Sequence, residues 1–204
     1  MPFTVEQTPI PEVLLIRPTR FPDDRGWFSE IFRAGAFEEL GLPSRFAQVN
    51  QSRSRRGVIR GLHFQWDPPQ GKLMRVVAGR AFLIAVDIRP GSPTLGRVVT
   101  VEASADDPLL VWAPASFARG FAALADVTDI EYFCTAEYNP ARESAIRWDD
   151  PSLGISWPMA DPVLSVKDAS AGSLEDWLAR PESAAFAYAA AGPASGGRVG
   201  RSDK

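Results

Sequence analysis

From about residue 4 to about residue 180 the apolar positions fall in short runs rich in β-branched and aromatic side chains, each stopped by glycine, proline or aspartate. VLLIRP at 13–18, RVVAGRAFLIAVDI at 75–88, GRVVTVEA at 96–103, LLVWAP at 109–114 and DIEYFCTAEY at 129–138 read as extended segments, because such residues pack well on a pleated surface. Turn chemistry separates them: PDDRG at 22–26, PGSPTLG at 90–96 and ASADDP at 103–108 are built from residues that reverse a chain. Two segments carry helical signals instead. RAGAFEEL at 33–40 has apolar residues near helical spacing and a glycine stop. SLEDWL at 173–178 opens on a serine cap followed by acidic residues that suit a helix N-terminus. Many short strands, with no long helical periods between them, predict an all-β sandwich or barrel such as a jelly roll and disfavour a parallel α/β sheet.

A chain of 204 residues suffices for one domain with a full core. That domain is expected over 1–182. Beyond it the sequence turns to Ala, Gly, Ser and Pro, which predicts a flexible tail over 183–204, with Phe186 and Tyr188 as candidates to dock on the barrel or on a partner subunit. At 45% hydrophobic and 23% charged residues, the composition is that of an ordinary globular protein. No apolar run approaches the roughly 20 residues of a membrane span, and the opening MPFTVEQTPIPEV lacks a signal-peptide pattern. A cytoplasmic protein without a membrane partner is therefore expected, and the single cysteine, Cys134, agrees with a reducing compartment.

The net charge of −3 argues against a nucleic-acid partner, since such domains carry a basic excess that neutralises phosphates. The basic stretch SRSRRGVIR at 52–60 is either solvated loop charge or a contact for a small anion. His63 is the only histidine in the chain. Metal cupins and most catalytic zinc sites use two or three histidines, so this count excludes a histidine-rich metal centre and leaves metal-free chemistry.

Within GVIRGLHFQWDPPQGK at 57–72, strict strand alternation puts Arg60 and His63 on opposite faces unless Gly61 introduces a bulge. His63 is either a structural histidine on a strand or a functional imidazole. Arg25, Arg60 and Lys72 are charges set among strand and turn signals, where an unpaired charge inside a barrel is costly unless it meets a ligand. Tyr132, in IEYF, is either core packing or a phenol at a barrel mouth. Asp168, in LSVKD, is either a turn residue or a carboxylate that reaches back to orient an imidazole.

Ordered matches along the chain make these residues more specific: FPDDRGWFSE at 21–30, QVNQSRS at 48–54, GVIRGLHFQ at 57–65, QGKL at 70–73, VDIRPGSPTLG at 86–96, PASFARGF at 114–121, EYFCTAEYNP at 131–140, IRWDDPSLGISWP at 146–158 and LSVKDA at 164–169. In these strings the chain resembles the dTDP-4-dehydrorhamnose 3,5-epimerase family. The combination of RGLHFQ, DIRPGSPT and WDDP is what makes the resemblance specific. It implies a double-stranded β-helix (cupin-like jelly roll) with a few short helices, usually a homodimer, acting without a cofactor on a dTDP-linked 4-keto-6-deoxyhexose. By position, His63 is similar to the family's proton-abstracting base, Asp168 to its dyad partner, and Tyr132 to the acid on the far face of the sugar. Lys72 is the candidate cation for the carbonyl oxygen. Arg25, Glu30, Gln48, Asn50, Arg60, Tyr138, Glu143 and Lys167 fall where the family holds nucleotide, diphosphate or sugar.

One position departs from the pattern. The string FARGF carries Arg119 where the family usually has histidine, and an arginine there is longer, permanently charged and able to fork onto phosphate or a carbonyl oxygen. Inversion at both C3 and C5 is the main expectation. A single-position epimerase and a non-catalytic sugar-nucleotide binder are the alternatives.

Overall fold

The structure is a computed structural model in which residues 2–189 are described. Its strands are β1 (Phe3–Gln7), β2 (Leu14–Pro18), β3 (Arg20–Asp23), β4 (Gly26–Ser29), β5 (Gln48–Ser54), β6 (Ile59–Gln65), β7 (Lys72–Ala78), β8 (Arg80–Asp87), β9 (Val98–Ser104), β10 (Leu110–Ala113), β11 (Phe117–Ala123), β12 (Thr128–Cys134) and β13 (Glu143–Ala145). One sheet runs β1-β2-β10-β7-β12-β5, a second runs β13-β6-β11-β8-β9, and β3 and β4 form a separate hairpin. All pairings between these strands are antiparallel. Two facing sheets with this order make the cupin-like jelly roll that the sequence leads one to expect.

Two features of the strand pattern differ from expectation. The run 75–88 is two strands, because the chain turns at Gly79 (φ 72°). A Cβ there would meet the Val127 carbonyl oxygen at 2.0 Å, so only glycine allows the turn, and it sends β7 and β8 into different sheets. Strand β11 (FARGFAA) has no alternation to read, because every one of its residues is buried.

The cores explain the layering. Met74, Val76, Leu83, Val111, Phe121 and Ile130 belong to one apolar cluster that joins strands of both sheets. Behind β6 a second cluster, with Leu62 and Phe64, meets the C-terminal elements α3 (numbered after α1, Ala34–Glu39, and α2, Val166–Ala169; Leu174–Leu178) and a final 3-10 turn, Pro181–Phe186. Helix α3 starts where expected. Ser173 accepts from the Asp176 amide, and the Asp176 carboxylate accepts from the Ser173 amide, closing a capping box. The boundary expected after residue 182 falls inside the last turn: Phe186 is 4% exposed, its ring 5.8 Å from Trp177 and 6.2 Å from Phe64. The Tyr188 amide also donates to the Pro90 carbonyl at 2.9 Å. Truncating a buried phenylalanine costs about 3–5 kcal/mol, and this is why an Ala-rich segment with one large ring stays with the domain. The expected tail from residue 190 onward lies outside the described residues.

Strands β6 and β11 settle the question of faces. Arg119 pairs with His63 and Phe121 with Arg60, so Gly120 alone opposes both Gly61 and Leu62. This is a bulge on β6, and it turns Arg60 and His63 to the same side. Gly61 (φ 134°) lies so close to its neighbour that an added Cβ would fall 2.6 Å from the Gly120 Cα.

Candidate active site

A cavity of about 220 Å³ opens between the sheets, lined from one side by His63 and Arg60 on β6 and Arg119 on β11, and from the other by Lys72 on β7, Tyr132 on β12 and Asn50 on β5. Six of the residues expected from the sequence thus share one space. The cavity lining contains three cationic side chains and no carboxylate.

His63 stands on strand β6, which is paired on one side with β11 and on the other with β13. Its Nε2 lies 2.5 Å from Asp168 Oδ1, which leaves Nδ1 as the nitrogen free of that carboxylate. Asp168 sits in the first turn of α2, a short helix capped by Ser165. It is 3% exposed, and its Oδ2 accepts from Ser165 Oγ at 2.8 Å. Burial works against its charge, but hydrogen bonds from His63, Ser165 and the Gly61 amide outweigh burial and hold the carboxyl below its ordinary range. An ionised, oriented carboxylate behind an imidazole fixes the tautomer and favours the imidazolium that would form when the ring takes a proton.

Tyr132 faces the cavity with its phenol pushed up to about 12 by burial, partly offset by a hydrogen bond with Ser52. A phenol in that range is protonated at neutral pH and able to donate. Lys72 is pushed down to about 8, first by burial and then by the charge of Arg119, and its Nζ lies 5.8 Å from the Tyr132 ring centroid. Burial also lowers Arg119, to about 10.

Four further expected residues form a chain of contacts. Gln48 donates to Asn50 at 2.8 Å and accepts from the Tyr138 amide at 2.8 Å. The Tyr138 hydroxyl donates to Glu143, and Lys167 Nζ donates to the same carboxylate at 2.5 Å. Lys72 feels the charges of Glu143 and Lys167. Arg25 and Glu30 are not brought to the cavity. The reading of Arg25 as a charge inside the barrel is corrected: it lies at the turn of the β3–β4 hairpin, with its side chain 90% exposed and ion-paired to Asp23. Glu30 follows the same hairpin and pairs with Arg33 at 3.1 Å.

Ser52 was not among the expected residues, yet its Oγ lies 2.8 Å from the Tyr132 hydroxyl. Its signal was present in QVNQSRS: Gln48, Asn50 and Ser52 alternate and so share one face of β5. No group of three or more His, Cys, Asp or Glu suited to a metal ion occurs among the described residues. No helix among them is long and apolar enough to cross a membrane.

A jelly roll holding a half-buried histidine backed by a buried aspartate, with a lysine and a phenol around one cavity, is the equipment of an isomerase-type enzyme of the cupin-like class. The family model for dTDP-4-dehydrorhamnose 3,5-epimerase matches residues 7–176, and the chain belongs to that family. It is 46% identical over 162 residues to a dTDP-4-dehydrorhamnose 3,5-epimerase from Neisseria gonorrhoeae, covering 79% of this chain and spanning about half (49%) of that protein's length. The Pseudomonas aeruginosa enzyme of the same name is 46% identical over 169 residues, 82% of this chain and 93% of that one. The crystal structure of dTDP-6-deoxy-D-glucose-3,5-epimerase from Legionella pneumophila, in complex with dTDP-4-keto-L-rhamnose, superposes with a TM-score of 0.86 at 43% identity, covering 93% of this chain and 100% of that one.

Proposed function

We propose that this chain inverts C3 and C5 of dTDP-4-dehydro-6-deoxy-D-glucose to give dTDP-4-dehydro-L-rhamnose, with His63 as base and Tyr132 as acid. The observation that carries the reading is the single cavity lined by both groups, with Asp168 behind the imidazole. A proton next to a ketone is acidic because its loss places charge on the carbonyl oxygen. His63 removes that proton, the C–H electrons form the C3–C4 double bond, and the carbonyl pair moves to O4, where Lys72 meets it. Tyr132 returns a proton to the carbon from the other face, and the carbonyl re-forms. The same cycle at C5 completes the product. The ketone is its own electron sink, so the proposed steps use the chain's side chains alone.

Gln48, Asn50, Arg60, Tyr138, Glu143 and Lys167 take binding roles in this reading. Arg25 and Glu30 keep theirs only if the exposed hairpin, with Phe21, Trp27 and Phe28 at 54%, 49% and 69% exposure, meets a second subunit. This supports the proposed homodimer, and the cytoplasm is the compartment proposed for it. Incubating the purified chain with the 4-keto substrate in D2O tests the whole reading. Deuterium is expected at both C3 and C5, with light scattering on the same sample giving twice the monomer mass. Substrate returned without label would remove the enzymatic reading, and a monomer would remove the hairpin's role.

A smaller effect is expected at the dyad. Asp168→Asn keeps the size of the buried group but not its charge, so turnover should fall on the order of 10²-fold while dTDP affinity stays within about twofold. Unchanged turnover would take Asp168 out of the mechanism.

A further inference from the structure

Arg119 is a buried charge whose hydrogen bonding is incomplete. It is 3% exposed. Its Nη1 donates to the Gln70 carbonyl at 2.7 Å and, at 3.3 Å, to that of Pro114. Its Nε and Nη2 are buried and have no hydrogen-bond partner among the described residues. Burying a guanidinium in this state is costly unless something anionic completes it. The cavity wall to which it belongs contributes no carboxylate, and Lys72 and Cys134, with which it interacts electrostatically, do not supply one. Register sets its position: Arg119 lies directly opposite His63 on the neighbouring strand.

Depth decides which part of a substrate it would meet. Arg60, also on the cavity, is exposed, with its guanidinium tied to Ser54 Oγ and the Arg53 carbonyl, so it suits a diphosphate at the mouth. Arg119, opposite His63 in the strand register, and Lys72, across the cavity from it, instead line the interior, where charge develops on the ketone oxygen. We infer that Arg119 is a second oxyanion-binding residue that shares O4 with Lys72 as the enolate forms. The inference rests on the function proposed above and deepens it. Each transfer balances as before: the proton leaves carbon for His63, the electron pair reaches O4 between two cations, and it returns when Tyr132 protonates the carbon. A fixed guanidinium keeps one cation at O4 even where Lys72 begins to lose its proton.

The test uses the full chain with Arg119→Gln and the D2O assay, plus calorimetry with dTDP. Loss of one preorganised oxyanion donor typically lowers kcat about 10²-fold, so that loss is expected with KM and dTDP affinity within about threefold of wild type. A second readout is the alkaline limb of the pH profile. In the wild type, rate should fall as pH rises through about 8, where Lys72 deprotonates. Around Lys72 stand Arg119, Cys134, Glu143 and Lys167, with Tyr132 on the neighbouring strand and His63 and Arg60 across the cavity. Removing the positive charge of Arg119 raises the Lys72 pKa and should move that limb upward. If Arg119→Gln does not fold, Arg119→Met, an unbranched side chain without charge or hydrogen-bond donor, replaces it with the same expectations. Unchanged kcat, or a loss confined to dTDP affinity, overturns the inference. An inactive wild type sinks the proposed function itself, whereas an active wild type beside an equally active Arg119→Gln sinks only this step.

Discussion

His63→Ala should cut deuterium incorporation from D2O by about 10³-fold, within the range that a positioned general base contributes. The effect is large because the chain holds no second imidazole, and because the other titratable groups lining the cavity are poor substitutes. Lys72 and Arg119 carry positive charge at neutral pH, and the Tyr132 phenol keeps its proton up to about 12. Binding of dTDP should survive, since the anion contacts stay in place. Exchange that persists at the wild-type rate would mean another base and would end the assignment.

Tyr132→Phe should separate the two halves of the reaction. The substitution removes a hydroxyl whose hydrogen-bond partner is Ser52 and leaves the ring that packs beside Met74 and the main core. Proton removal by His63 continues, so deuterium enters from the same face, while inverted product should fall on the order of 10²- to 10³-fold because no acid waits on the other side. Chiral analysis of the labelled sugar distinguishes wash-in with retention from inversion. Full inversion by this variant would defeat the assignment of Tyr132.

Much of this site was legible as residue types in order, and the reasons for the exceptions are specific. The turns rich in Gly, Pro and Asp marked most strand ends, but Gly79 sits inside an unbroken apolar run and its role depends on the Val127 carbonyl, a contact far away in sequence. Period-2 reasoning put Arg60 and His63 on opposite faces unless Gly61 introduced a bulge, and the choice was not legible because the bulge arises from a close meeting of two glycines on different strands. Asp168 was readable as a carboxylate after the last strand. Its burial was not, since that depends on the Ser165 cap and on the strand carrying His63. Arg25 looked like an interior charge because the hairpin that carries it shares the composition of the barrel strands, and composition does not reveal which hairpin stands apart.

The meeting of Gly61 and Gly120 also bears on how such a site changes over time. An added Cβ at Gly61 would come within 2.6 Å of backbone, and one at Gly120 within 2.7 Å, so the spacing of these two strands is set by main chain touching main chain. The base and the residue facing it across the ladder therefore hang from a frame that their own side chains do not adjust. A change of side chain at position 119 would then alter the electrostatics of the cavity while the imidazole of His63 keeps its place.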